Sequence, residues 1–122
     1  MDELQFRLVN MQNNPRLHKV TELVAEKAGW GKPLPSGHFH GIAAHSSFGS
    51  AVAQVAEVSV EAGKIIVHRV TAAIDCGTVV NPNTVAQQVE SSVIFALSAA
   101  LFGKIDIQEG VVQQSNFTNY PL

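Results

Sequence analysis

The chain has 122 residues and a mass of 13.1 kDa, which suits one compact domain with its own core. A net charge of −2 argues against a protein that binds the phosphate backbone of nucleic acids, because such proteins normally carry an excess of Lys and Arg. No uninterrupted apolar run approaches the roughly 18 residues of a membrane span, so we predict none.

Charge is scarce and unevenly placed. Charged residues make up 15% of the chain, against roughly 25% in an average soluble domain. Half of them lie between Asp2 and Lys32, and none lies between Pro33 and Ala56. A free-standing domain usually distributes charge over all of its exposed faces. The pattern indicates either a soluble oligomer with a neutral surface or, as we favour, a segment whose neutral faces contact further protein.

Residues 1–30 are predicted to be helical. Leu4, Leu8 and Met11 follow a helical spacing. A second helix begins at Asn14-Pro15, an N-cap followed by Pro in the first turn, and Gly29 ends it. Residues 31–37, rich in Gly and Pro, then form a loop.

Residues 38–77 are predicted to form a β region with a short strand at 41–45 and longer strands at 51–60 and 64–75. A hairpin turn at Glu61-Ala62-Gly63-Lys64 joins the two long strands, with Gly63 supplying a positive φ angle. Both long strands carry apolar residues on both faces, so we expect the hairpin to be covered on both sides. The N-terminal helices can cover one side, and something else must cover much of the other.

The longest predicted helix spans residues 82–102, or about 31 Å, from Asn81-Pro82 to a stop at Gly103. One side of this helix is apolar, whereas the opposite side is polar but uncharged. A solvated helix face normally carries Lys and Glu, so this neutral face favours close packing or hydrogen bonds to a bound group. The uncharged side consists of Gln87, Gln88, Ser91, Ser92, Phe95 and Ser98.

Residues 104–122 are predicted to contain two short strands around Glu109-Gly110 and an irregular tail. The whole chain is therefore predicted to be a single α+β domain, incomplete on its own, with the antiparallel hairpin-containing sheet packed against the long helix.

No pattern in the sequence forms a complete active site. His38, His40 and His45 could together hold Zn²⁺, but no Cys, Asp or Glu between Pro33 and Ala56 completes the set, so we predict no metal site. Cys76 is the only cysteine, and a lone cysteine is most often a small buried side chain. The start of the long helix could bind an anion through its free N–H groups.

The run from Arg69 to Pro82, which contains Asp75-Cys76-Gly77 and ends in Asn81-Pro82, is followed by Gln88-Val89-Glu90. This pattern resembles the molybdopterin-binding large subunit of the molybdenum hydroxylases, the xanthine dehydrogenase and aldehyde oxidoreductase family. That family shows a strand ending in D-x-G, then N-P, then a helix with Q-[IV]-E-G-G. Other segments resemble the branch typified by the isoquinoline 1-oxidoreductase β-subunit, and the resemblance covers nearly the whole chain. They are Phe6 to Leu8, Ala25 to Trp30, His45 to Ser50, Val112 to Phe117, and Tyr120-Pro121.

The resemblance implies an α+β part of an oxidoreductase that hydroxylates aldehydes or N-heterocyclic aromatic rings with oxygen derived from water. The implied cofactor is molybdopterin, and electrons would leave through [2Fe–2S] clusters on a small partner subunit. Gln88 matches the family glutamine that contacts the cofactor. Ser91 and Ser92 stand where the family has Gly-Gly, while Cys76 and Gly77 are weaker cofactor-binding candidates.

The resemblance also implies that essential parts lie outside these 122 residues. The family's catalytic glutamate belongs to a downstream G-x-G-E-type motif that this chain lacks, so no catalytic residue is predicted here. We therefore expect an interior piece of a large subunit that does not turn over substrate alone. The alternative is a stand-alone structural or interaction domain derived from such a subunit. The compartment stays open, because relatives occur in the periplasm or the cytoplasm.

Overall fold

A computed structural model describes residues 1–120, so Pro121 and Leu122 at the end of the predicted tail lie outside the described residues. The chain divides into two compact units, residues 1–80 and a second unit that begins at Asn81. The elements are α1 (Glu3–Asn10), α2 (Pro15–Ala28), β1 (His38–Ser47), β2 (Ser50–Glu61), β3 (Lys64–Asp75), α3 (Pro82–Phe102), β4 (Ile107–Gln108) and β5 (Val111–Val112).

The two N-terminal helices begin and end at the residues that the sequence predicts. The Asp2 carboxylate accepts a hydrogen bond from the Leu4 amide at the start of α1. The Asn14 side chain does the same for the Leu17 amide at the start of α2. Gly29 then adopts the left-handed conformation (φ 74°) that ends α2, a conformation with little steric cost for glycine.

The first unit contains an antiparallel sheet in the order β1-β2-β3. Two-residue turns connect its strands, Phe48-Gly49 and Ala62-Gly63, and all four of these residues have positive φ angles. The second turn is the predicted one. The first was not predicted, and β1 extends three residues before and two after the predicted strand, since residues 38–47 all pair with β2.

The core of the first unit lies between α2 and one face of the sheet. Val24 is fully buried on α2, and Ala53 and Val55 on β2 are almost fully buried opposite it. On the other face of the sheet, Ala43 and Ile74 remain exposed. The complete set of buried apolar residues is Val20, Val24, Ala25, Ala28, Ile42, Ala51, Ala53, Val55 and Ala73.

The second unit consists of α3 and the short β4–β5 hairpin, whose turn at Glu109-Gly110 lies where the sequence predicts it. None of the residues of α3 is buried. Among residues 1–120, α3 alone is long and apolar enough to cross a membrane by length and composition, although a single such helix is weak evidence for a span. The sequence argument missed it because polar residues interrupt the apolar run, Gln87, Gln88 and Glu90 among them.

The α+β class predicted from the sequence is confirmed by these two units. The sheet packs against α2, and its predicted packing against the long helix stays a prediction.

Candidate functional site

The candidate cofactor face lies on α3, which local interactions at both ends delimit. The Asn81 side chain accepts hydrogen bonds from the amides of Asn83 and Thr84 at 3.0 and 3.4 Å. Those amides are therefore already partnered, which weakens the predicted anion site at this N-terminus. At the other end, a Cβ at Gly103 would lie 2.5 Å from the Ala99 carbonyl oxygen, so only glycine fits there without a shift.

Gln88, Ser91 and Ser92 lie on the same side of α3, as the helical spacing predicts. The Ser91 hydroxyl donates to the Gln88 carbonyl oxygen at 3.1 Å, and the Ser92 hydroxyl donates to the Val89 carbonyl oxygen at 2.7 Å. Both hydroxyl protons are thus used within the helix. The Gln88 amide is exposed and has no hydrogen-bond partner in the described part of the chain.

This donor set suits a neutral heterocycle. A glutamine amide offers donor and acceptor atoms side by side, which can pair with the N–H and C=O groups at the edge of a pterin ring. The two serines carry small side chains and keep their own hydroxyl protons satisfied, so they leave room beside the Gln88 amide. The residues on this face therefore fit a molybdopterin through Gln88 as the hydrogen-bonding group.

Cys76 and Gly77, the weaker candidates, belong to the first unit and follow the last residue of β3. Cys76 is half-buried and forms no disulfide. The Gly77 amide donates to Asp75 Oδ1 at 3.1 Å. Both residues therefore lie in a turn organised by the Asp75 carboxylate, and neither presents a polar group of its own to a defined pocket.

Asp75 is held by Arg16 of α2. The Arg16 guanidinium donates to both carboxylate oxygens, at 2.8 and 2.7 Å, and also to the Asp75 and Gly49 backbone carbonyl oxygens. The Arg16 hydrogen bonds and the Gly77 amide lower the pKa of Asp75 to about 2. One arginine thus ties the start of α2 to the β1–β2 turn and to the end of β3.

The histidines of β1 lie in a cluster that the sequence pattern did not predict. His40 pairs across the strands with Glu57, and His38 Nδ1 donates to Glu57 Oε1 at 2.8 Å. Arg69 of β3 donates to Glu57 Oε2 at 3.2 Å. The hydrogen bond from His38, reinforced by the charge of Arg69, lowers the pKa of Glu57 although burial opposes the shift. The His40 ring stacks on Trp30 with centroids 5.8 Å apart.

This cluster does not form a metal site in the described residues, where no group of three or more His, Cys, Asp or Glu side chains can hold an ion. The Arg69 guanidinium already neutralises Glu57, and His45 lies on the other face of the sheet, opposite Val52. The sequence prediction treated the interval before Ala56 as free of acids, and Glu57 is the next residue along the chain. Extending β1 to His38 would have placed Glu57 beside the histidines through strand pairing.

Residues 3–122 match the family model of a molybdopterin cofactor-binding domain. The chain is 34% identical over 126 residues to the β-subunit of isoquinoline 1-oxidoreductase from Brevundimonas diminuta, a match covering 99% of this chain and 16% of that protein. It is 28% identical over 141 residues to the second of the lettered subunits of nicotinate dehydrogenase from Pseudomonas putida, covering 100% of this chain and 12% of the relative.

A third relative is the membrane-bound aldehyde dehydrogenase [pyrroloquinoline-quinone] of Gluconacetobacter polyoxogenes, 30% identical over 109 residues, covering 83% of this chain and 14% of that protein. No solved structure matches the chain. The chain thus spans less than a fifth of the length of each of these curated relatives. The match over residues 3–122 establishes that the chain belongs to the molybdopterin cofactor-binding domain family of the molybdenum hydroxylases.

Proposed function

We propose that this chain is the part of a molybdenum hydroxylase large subunit that presents α3 to the molybdopterin cofactor. Gln88 hydrogen-bonds the pterin through its side-chain amide, and Ser91 and Ser92 allow the cofactor to approach the helix. The observation that carries the proposal is the unpartnered Gln88 amide on an uncharged face of α3, in a chain that matches the cofactor-binding family. Cys76 and Gly77 contribute only through the shape of the turn after β3.

The reaction we propose for the complete enzyme is the hydroxylation of an N-heterocyclic aromatic substrate or an aldehyde. Two of the relatives carry the names of N-heteroaromatic compounds, isoquinoline and nicotinate, and the third is named for aldehydes. The names favour the N-heterocyclic class. When bound, the cofactor supplies a redox-active molybdenum at which a substrate carbon is oxidised and gains an oxygen derived from water.

The residues of this chain supply binding and orientation. The catalytic base comes from outside the 122 residues, and a small subunit with [2Fe–2S] clusters takes up the electrons. The isoquinoline and nicotinate relatives are both named as individual subunits of their enzymes, which supports a multi-subunit assembly. The chain by itself is then expected to show no turnover.

The substitution Gln88→Ala in the intact subunit tests the contact to the cofactor. Loss of one neutral hydrogen bond, about 1 kcal/mol, lowers cofactor affinity about five-fold. Molybdenum per subunit, measured by elemental analysis during dialysis against a molybdate-free buffer, should decline faster than in the parent protein. Gln87→Ala, a neighbouring glutamine about 100° around the helix, is the matched control and should retain its molybdenum.

Equal molybdenum retention in the Gln88 variant and the parent would remove Gln88 from the site. Equal losses in the Gln87 and Gln88 variants would indicate a general weakening of α3 instead. The gene provides an independent test, since an open reading frame that encodes only these 122 residues would favour the stand-alone interaction domain.

A further inference from the structure

Strand β1 forms one edge of the three-stranded sheet, because β2 pairs with it on one side and no strand among residues 1–120 pairs with it on the other. It is ten residues long, and its pairing with β2 is continuous from Ser47 to His38 without a bulge. A long, regular edge of this kind is a template for the addition of another strand.

The hairpin geometry shows which amides point away from the sheet. Ser47 and Ser50 flank a two-residue turn, so they form a hydrogen-bonded pair, and such pairs alternate along an antiparallel ladder. The amides that then point outward are those of His38, His40, Ile42, Ala44 and Ser46.

The Pro35 carbonyl oxygen accepts from the His38 amide at 3.1 Å, which agrees with this alternation. No turn or loop within residues 1–120 supplies an acceptor for the other four outward amides. A row of four unpartnered N–H groups, with the carbonyl oxygens between them, therefore lines the outer side of β1.

The edge also lacks the features that normally keep strands apart. β1 contains no Lys, Arg, Asp, Glu or Pro, and it lies in the uncharged interval between Pro33 and Ala56. The opposite edge, β3, is different, since it carries Lys64 and Arg69 and is interrupted by a bulge opposite Glu57 and Val58. Its last carbonyl, that of Asp75, is already hydrogen-bonded by Arg16. Only β1 is therefore suited to accept a strand.

The open face beside β1 indicates what kind of strand would fit. Ala43 and His45 of β1 and Val52 and Gln54 of β2 line a shallow depression of about 240 Å³ there. Phe39 at the start of the strand is 60% exposed. A strand that adds to β1 would continue this weakly polar face, so its side chains on that face are small or apolar and carry no charge.

We propose that the free edge of β1 pairs with an extended, uncharged segment of the same large subunit that lies outside these 122 residues, giving a sheet of at least four strands. This rests on the proposed function, in which the chain is one part of that subunit. Its matched block makes up 16% and 12% of the first two relatives, so each relative has several times this length of chain available to supply the strand. An edge without charge suits a strand that is permanently covered.

Amide hydrogen exchange tests the pairing directly, with the inward amides of Phe39, Gly41, Ala43 and His45 as internal controls. In the dilute 122-residue chain, the inward amides should be protected while those of His40, Ile42, Ala44 and Ser46 exchange freely. In the intact subunit, exchange of the four outward amides should slow by at least about 100-fold, because they then belong to an interior ladder. Mass spectrometry with residue-level fragmentation resolves the alternation.

Free exchange of the outward amides in the intact subunit would overturn the proposal. Protection that appears in the 122-residue chain and rises with its concentration would overturn it too, because the partner would then be a second copy. Molybdenum content is measured on the same samples. An intact protein that protects the edge but binds no molybdenum contradicts the proposed function alone, and one that binds molybdenum with an unprotected edge contradicts only the strand pairing.

Discussion

At the scale of single residues, the interactions that organise the first unit are made by charged side chains far apart in sequence. Arg16 reaches Asp75 across 59 positions, and Arg69 of β3 reaches Glu57 of β2 as well as the Ala28 carbonyl oxygen at the end of α2. Each of these arginines connects a helix end with the sheet. The scarcity of charge in the chain therefore does not mean that its charges are idle, since these few fix the position of α2.

The pair of Arg16 and Asp75 predicts a pH dependence. The pKa of Asp75 is lowered from 3.8 to about 2 in the folded chain, chiefly by the hydrogen bonds from Arg16. The pair's stabilising contribution is thus complete above pH 3.8 and is lost as the pH falls towards about 2. Replacing Arg16→Gln should return the Asp75 pKa towards its ordinary value, as followed by NMR titration of the carboxyl carbon.

The melting temperature of the Arg16→Gln variant should be below that of the parent at neutral pH, and the difference should shrink in acid. Arg7→Gln is the matched control, because Arg7 donates only to the Glu3 backbone carbonyl oxygen. It should leave the Asp75 titration unchanged. If the Asp75 pKa stays near 2 in the Arg16 variant, the Gly77 amide and not Arg16 holds the carboxylate ionised.

At the scale of elements, the three hairpins share one turn design. Each turn consists of a residue with a φ angle near 50° followed by a glycine, and the first residues are Phe48, Ala62 and Glu109. Paired positive φ angles match the right-handed twist of the strands, but Asn or Asp adopts the first position more easily than these residues do. The turns therefore contain local strain that strand pairing offsets.

The β2–β3 turn offers a direct test of that strain. Ala62→Asn should raise the free energy of unfolding by about 0.5–1 kcal/mol, because Asn tolerates the left-handed conformation better than Ala. Ala62→Val should lower it by about 1 kcal/mol or more, since β-branched residues are the least tolerant of positive φ. Urea denaturation measures both changes. Changes of the same sign in the two variants would show that an effect other than the turn backbone dominates.

At the scale of the whole molecule, burial is confined to the first unit. Every buried residue described lies between Val20 and Ala73, whereas α3, with 21 residues, buries none. An apolar, neutral helix without a core of its own is stable only when other structure covers it. This is consistent with the family relationship and with relatives that are several times longer than the chain.

The first unit should therefore fold by itself. A chain of residues 1–80 is expected to show a cooperative thermal transition, because it contains the complete core between α2 and the sheet. A chain of residues 81–122 should show no cooperative transition. Circular dichroism of the two pieces measures this, with Val24→Ala in residues 1–80 as a control that should lower the free energy of unfolding by about 1–3 kcal/mol. A transition in residues 81–122 would contradict the assignment of stability to the first unit.

The sequence by itself determined the local features of this protein. Caps at Asn14 and Asn81, the stop at Gly29 and the period of α3 act over a few residues, so their consequences can be read from the chain. The family pattern around Gln88 could be recognised in the same way, and residues 3–122 match the family. The role of Gln88 as a cofactor contact stays a prediction.

Only the tertiary structure decided the partners of residues that are distant in sequence. The pairing of His40 with Glu57 depends on the full length of β1, and that depends on a Phe48-Gly49 turn for which sequence patterns give a weak signal. Arg16 could have paired with any nearby carboxylate until α2 was placed on the sheet, where the start of the helix meets the end of β3. Local rules specify elements, whereas the register of strands and the packing of helices select which charges meet.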